Sequence, residues 1–395
     1  MTRSPWFTPV ITGIVTAFVG FASSFAVILK GLTAAGASDA QAASGLMALS
    51  IGMGLSGIVL SVRYKMPISS AWSTPGAALL AATGAATGGF PVAVGAFLVV
   101  GALIVAAGLI RPFGRAVAAI PSPLANAMLA GILFGLCLAP IKALIEVPGS
   151  AAMVIVAWLV VSRWKRNFAT PVAAIVAAVI ISVQGRGAPF DYAAMIPAPM
   201  WVTPHFTPAG IVSIALPLFI VTMASQNLPG LAVLSAYNYR PEPGPLIATT
   251  GVFTILAAPF GSHAVNLSAI TAAMTASPDA SPDPGKRWIA AATAGSTYVV
   301  FGLLAGGITH FAAGSPILIE AVAGLALLNA FGSALHNAMA DATEREAALA
   351  TFLVSCSGVG FYGIGGAFWG LIAGGVILVV TRAGALAPRR PSTPA

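Results

Sequence analysis

The chain has 395 residues, 58% of them hydrophobic and only 7% charged, where a soluble domain carries about 25% charge, so a soluble globular protein is excluded. Gly 43 and Pro 29 exceed ordinary usage without any Gly-X-Y period, which excludes collagen and suits membrane helices. The net charge of +8 lies in short connectors between apolar runs and not on a basic surface, so it reads as an orientation signal, and no nucleic acid partner is expected.

In chain order the apolar runs predict about fourteen membrane segments: 10–32, 41–62, 68–87, 90–110, 120–143, 150–162, 168–183, 207–226, 244–260, 263–277, 287–309, 313–334, 347–361 and 363–381. They are too long for the short alternating strands of a barrel, so the fold class is an all-α polytopic membrane protein. With the N-terminus inside, 15 of the 18 Lys and Arg, from Arg3 to Arg389 and Arg390, fall on the inner side, leaving Lys30, Lys142 and Arg186 outside. Both termini are therefore placed in the cytoplasm.

The longest polar interruption, 184–206, serves as an outer connector. It leaves seven spans in 1–183, seven in 207–385, and a cytoplasmic tail at 386–395. An odd number of spans per half orients the halves oppositely, the inverted repeat of secondary transporters. A weak internal echo agrees: 18–31 resembles 219–232, and 68–82 resembles 260–274.

The third span of each half is interrupted. MPISSAWSTPG at 66–76 opens on Pro67 and sets Ser69, Ser70, Ser73 and Thr74 at nominal membrane depth. Extended backbone facing hydrocarbon would leave its N–H and C=O groups unpaired, so this stretch belongs against protein. APFGSHAVNLSAI at 258–270 repeats the pattern, with Pro259 and Gly261 breaking the chain and a helix predicted from Ser262 or His263. Short extended stretches before half-helices in spans 3 and 10 would aim free N–H groups at one point, which attracts a carboxylate.

The runs PISSAWSTPGAALL at 67–80, SQNLPGLAVLSAY at 225–237 and FGSHAVNLSAIT at 260–271 resemble the benzoate membrane transport family, bacterial aromatic-acid/proton symporters, over residues 5–385. The resemblance implies a seven-plus-seven inverted repeat, related to the nucleobase/ascorbate transporters and the bicarbonate and sulfate transporter superfamily. It implies a core and a gate domain, each drawn from both repeats, and a multi-pass protein of the bacterial cytoplasmic (inner) membrane. Carried over residue by residue, it implies a substrate site at Ser23, Ser24 and Phe25 in span 1, Ser70, Trp72, Ser73 and Thr74 in span 3, Gln226 and Asn227 in span 8, and His263 and Asn266 in span 10. The nucleobase transporters' acids in spans 8 and 10 are replaced here by Gln226/Asn227 and Val265/Asn266, which suits an anionic substrate, because a fixed carboxylate would repel it at low dielectric.

Each residue also has a structural reading. Gln226 and Asn227 either donate to the carboxylate or bond across neighbouring helices. His263 either faces the ligand, with a titratable ring that carries a proton, or caps the half-helix. One of the serines or Thr74 caps the helix starting near Pro75, and Trp72 and Phe25 either stack on an aromatic ring or fill an interface. Glu320, the acid well inside an apolar run, either carries the coupled proton or sits wet at the outer mouth. Lys30 and Lys142 read as snorkelling side chains. The loop 336–347 gathers His336, Asp341, Glu344, Arg345 and Glu346 without a standard metal motif, so it reads as a charged connector in which Asp341 or Thr343 caps the next helix.

The function expected is import of benzoate or a related aromatic carboxylate with protons by alternating access. No enzyme activity, cofactor or metal is expected; the partners are the organic anion, the proton, membrane lipid and, left open, a second copy in a homodimer. The alternatives are transport of another organic anion or a nucleobase, an anion channel or exchanger, and a membrane protein that transports nothing.

Overall fold

The computed structural model describes residues 6–86, 88–184, 195–359, 361 and 364–386. Arg3, Arg186, Arg389 and Arg390, residues 185–194 of the connector and the tail beyond 386 lie outside the described residues. The elements are α1 (Phe7–Ala22), α2 (Phe25–Ala34), α3 (Asp39–Tyr64), β1 (Ser70–Trp72), α4 (Thr74–Thr83), α5 (Phe90–Leu109), α6 (Arg111–Ala118), α7 (Ser122–Cys137), α8 (Ala139–Glu146), α9 (Pro148–Trp164) and α10 (Arg166–Val183). They continue with α11 (Pro208–Gly210), α12 (Leu216–Thr222), α13 (Leu228–Ala236), α14 (Pro243–Ala257), β2 (Val265–Leu267), α15 (Ile270–Ala276), α16 (Trp288–Leu303), α17 (Ala305–Ala313), α18 (Pro316–Met339), α19 (Arg345–Cys356) and α20 (Gly366–Leu386).

The expectation of about fourteen spans in a seven-plus-seven repeat is corrected. Among the described residues, eight helices are long and apolar enough to cross a membrane: Phe7–Ala34, Asp39–Tyr64, Phe90–Leu109, Ser122–Glu146, Arg166–Val183, Pro208–Ala236, Pro243–Phe260 and Pro316–Met339. The reason is that apolarity marks burial in any apolar medium, protein or lipid. The run 68–87 contains a three-residue strand and a ten-residue helix, 263–277 a strand and a seven-residue helix, and 347–361 most of a 12-residue helix that begins at Arg345. At 1.5 Å per residue a ten-residue helix covers about 15 Å, half the hydrocarbon thickness.

Local chemistry explains where the long helices start and bend. Ser38 caps α3 in a reciprocal box with Gln41, satisfying two end donors at once. The α1–α2 span breaks at Ser23 and Ser24, whose hydroxyls both donate to Gly20 O, at 3.1 and 3.0 Å, drawing the backbone out of register. Pro208–Ala236 contains two π turns, Ile211–Ala215 and Met223–Asn227. Each ends two residues before a proline, Pro217 and Pro229, whose ring would clash with the carbonyl four residues back in a regular helix.

Small residues bring the helices together. A Cβ on Gly54 of α3 would collide with Gly295 O of α16, and one on Gly295 with Gly54 O; the two backbones approach as only glycine allows. Gly31 of α2 sits likewise against the Ala77 carbonyl of α4.

The two strands cross in the interior as an antiparallel pair, Ser70 opposite Leu267, Ala71 opposite Asn266 and Trp72 opposite Val265. Ser73 N donates to Ala264 O at 3.0 Å and Ser268 N to Ser69 O at 2.9 Å, extending the ladder. Two non-helical stretches in a water-poor interior thus satisfy each other. The second helix starts at Ile270, not at Ser262 or His263 as the sequence suggested, because 265–267 stays extended to pair with β1.

Candidate functional site

The crossing gathers the residues singled out in four separate stretches of sequence. Trp72 Nε1 donates to Ser24 Oγ at 2.8 Å, and Phe21 lies against both Trp72 and Phe25, with centroids 5.2 and 6.0 Å apart. With Gly31 against Ala77, the Ser24–Trp72 bond aligns α2 and α4 side by side, both starting at the level of the crossing. Ser73 is the N-cap of α4: its Oγ accepts from Gly76 N at 3.1 Å and contacts Thr222 Oγ1 at 2.8 Å. Gln226 follows Thr222 by four residues, on the second π turn.

Most of the polar residues are consumed by the scaffold. Ser70 Oγ pairs with Ser56 Oγ at 3.0 Å, and Ser69 Oγ with Thr275 Oγ1 at 2.9 Å. The free edge of β2 is closed by side chains: Val265 N donates to Thr254 Oγ1 at 3.0 Å and Leu267 N to Asn227 Oδ1 at 2.9 Å. Asn227 is fully buried and passes its own amide hydrogen to Met223 Sδ at 3.2 Å. His263 is fully enclosed, its Nδ1 accepting from Ala264 N at 2.6 Å with Phe97 edge-on to the ring. The proton of the neutral ring therefore sits on Nε2, which has no described partner. Asn266 Nδ2 donates to Leu267 O at 2.8 Å, and its Oδ1 has no described partner.

Ser23, Phe25, Thr74 and Gln226 are different, because all four are half-buried. The Thr74 hydroxyl and the Gln226 amide make no hydrogen bond to a described residue. In the first turn of α4, Pro75 has no N–H and Gly76 N–H goes to Ser73, so Thr74 N–H is the backbone donor left over. No side chain caps the start of α2 either. The convergent donors are thus fewer than the sequence implied, and they come from the adjacent starts of α2 and α4; at α15, Thr271 N is taken by Ser268 Oγ at 3.2 Å.

Glu320 lies away from the crossing. It pairs with Lys30 at 2.6 Å on a cavity of about 720 Å³ lined by α2, the start of α3, residues 196–200, α17 and the start of α18. Ala26, in the first turn of α2, is part of that lining, so the cavity reaches down to the level of the crossing. The sequence missed this pairing and read Lys30 as snorkelling; 290 residues separate the partners, and no local pattern links them. In the loop before α19, Asp341 caps no helix: its Oδ1 accepts from Thr343 N and Oγ1 at 2.8 and 2.7 Å, bracing the turn. Those bonds hold the Asp341 carboxyl below its usual pKa, and Glu344 pairs with Arg382.

A family profile described as benzoate membrane transport protein matches residues 6–380. The chain is 43% identical over 374 residues to the inner membrane protein YdcO of Escherichia coli, covering 94% of this chain and 95% of that protein. It is 31% identical over 370 residues to the benzoate membrane transport protein of Acinetobacter baylyi, covering 92% of each. Among solved structures, the transmembrane domain of the cyanobacterial bicarbonate transporter BicA superposes with a TM-score of 0.61 at 14% identity, covering 98% of this chain and 99% of that one. The murine anion transporter Slc26a9 in its inward-facing state gives 0.63 at 12% identity, covering 97% and 70%. At these identities the likeness to the solved structures is one of fold.

Proposed function

Because the chain belongs to the benzoate membrane transport family, we propose that it is a secondary transporter moving benzoate or a closely related aromatic carboxylate across the inner membrane, together with a proton. The observation that carries this reading is the set of half-buried, unpartnered donors at the side-by-side starts of α2 and α4, Thr74 N–H and hydroxyl, together with the half-buried Gln226 amide four residues past the Thr222 that touches Ser73. Neutral donors and helix N-termini receive a carboxylate without the desolvation cost of a fixed cation. Phe25 offers a ring face to the aromatic part, and Gln226 puts an amide where an acid would repel the anion.

Moving an anion inward against an inside-negative potential costs about 2.3 kcal/mol per charge per 100 mV, which one accompanying proton removes. Of the two proton-carrier candidates, Glu320 reaches a cavity whereas His263 is enclosed, which favours Glu320. The test is uptake of radiolabelled benzoate by proteoliposomes under an imposed pH gradient, with unlabelled competitors. Gradient-driven uptake competed by aromatic carboxylates is expected; uptake competed only by uracil or xanthine, or indifferent to the gradient, contradicts the reading.

A further inference from the structure

The outer cavity has the composition of a receptor for an aromatic acid. Its walls are mostly apolar, with Ala26, Leu29, Met200 and Ile319 among them, and at about 720 Å³ it falls within the roughly 300–1,000 Å³ of small-molecule pockets. Among its described lining residues Lys30 is the cation, bonded to the Glu320 carboxylate at 2.6 Å, and Asp39, exposed at the start of α3, lines the same cavity. Lys142 and Glu146 on α8, which also packs on α18, are exposed and do not line it. The Lys30 and Glu320 side chains are 37% and 33% exposed, so both face the cavity space while bonded to each other.

A carboxylate entering this cavity meets one ammonium already neutralised by Glu320. Binding as an extra anion would leave two carboxylates sharing one ammonium, which is unfavourable in an apolar space. The conflict is removed when Glu320 takes a proton. The pair then exchanges partners: the Lys30 ammonium leaves the Glu320 carboxylate and takes the ligand's, Glu320 becomes the neutral acid, and one proton has been taken up for one anion bound. We propose that Lys30 is the carboxylate receptor of an outer binding site for an aromatic acid, distinct from the donors at the crossing, and that binding there is tied to protonation of Glu320. This rests on the reading of an aromatic carboxylate as cargo, and it adds a site, a receptor and an obligatory proton. It also gives Lys30 and Glu320 a shared reason to sit inside otherwise apolar runs, where ionisable side chains are costly.

Calorimetric titration of the purified full chain with benzoate, in buffers of different ionisation heat, counts the protons taken up. Wild type is expected to take up about one proton per benzoate bound, and E320Q none, because its neutral amide has replaced the group that must be protonated. K30M is expected to bind at least about tenfold more weakly, the scale of a lost charge-assisted bond, and K30R, which keeps the charge, to bind much as wild type does. Unchanged affinity in K30M, or undiminished proton uptake in E320Q, overturns the proposal while leaving the transport reading intact. Should K30M not fold, K30R and E320Q still decide, since weak binding by K30R alongside full proton uptake by E320Q contradicts it. Absence of benzoate binding by wild type removes the cargo reading and this site with it.

Discussion

The two faces of the strand crossing carry similar residue types and spend them differently. On the sealed face, Ser70, Trp72, Ser73, Asn227, His263 and Asn266 are buried, and apart from His263 Nε2 and Asn266 Oδ1 their polar atoms bond to the backbone or to other side chains. On the open face, Ser23, Phe25, Thr74 and Gln226 keep solvent contact, and two of them keep unpaired donors. Polarity at membrane depth is therefore not in itself a mark of substrate contact. A chain that runs extended through an apolar interior must supply side-chain partners for every edge N–H it exposes, and that need alone accounts for Asn227 and Thr254.

The comparison can be broken most forcefully at Trp72, which is 3% exposed and bonded to Ser24. Trp72→Ala should cost about 3–5 kcal/mol of stability, read as a large fall in the unfolding temperature in detergent; retained stability with lost benzoate affinity would move Trp72 to the open face. Asn227→Ala should follow at about 1–3 kcal/mol, the cost of leaving the buried Leu267 N–H unpaired. Thr74→Val and Gln226→Ala should behave oppositely, leaving unfolding nearly unchanged while raising the KM for benzoate about fivefold, the scale of one net hydrogen bond. His263→Gln should leave the pH profile of uptake where it is, because the enclosed ring exchanges no proton with the pathway; a shifted profile would place His263 among the accessible groups.

The smallest effect lies off the crossing, at Asp341. Its pKa is depressed in the folded protein by the Thr343 hydrogen bonds, so its contribution is present above the ordinary carboxylate value and lost as pH falls through the lowered one. Asp341→Asn should therefore shift the unfolding temperature slightly at neutral pH and not at all in strong acid.

Much of this was legible in the sequence, and the omissions have physical causes. Low charge and long apolar runs are enough to fix a helical membrane protein, and Pro67 and Pro259 mark where helix cannot continue. The number of crossings is not written in the apolar runs, since the runs that hold α4, α15 and α19 form helices of only ten, seven and 12 residues, packed against protein. The motifs near Ser70, Gln226 and His263 point to the right neighbourhood. They do not say which neighbour of a pair faces inward: Gln226 is half-buried and Asn227 wholly buried one residue later. Lys30 and Glu320 are visible only as two separate oddities until the fold brings α2 to α18.

The two π turns ahead of Pro217 and Pro229 carry a consequence for insertions and deletions. Each accommodates one residue more than a regular turn, so deleting a single residue from 211–215 would convert it to a regular turn and leave the helix downstream close to its present phase. The same deletion in the regular turns between them, Leu216–Thr222, would swing everything downstream by about 100° around the axis, so that Gln226 and Asn227 would no longer point where they do and Leu267 would lose its acceptor. A one-residue deletion is therefore milder at a π turn than a few residues further along the same span.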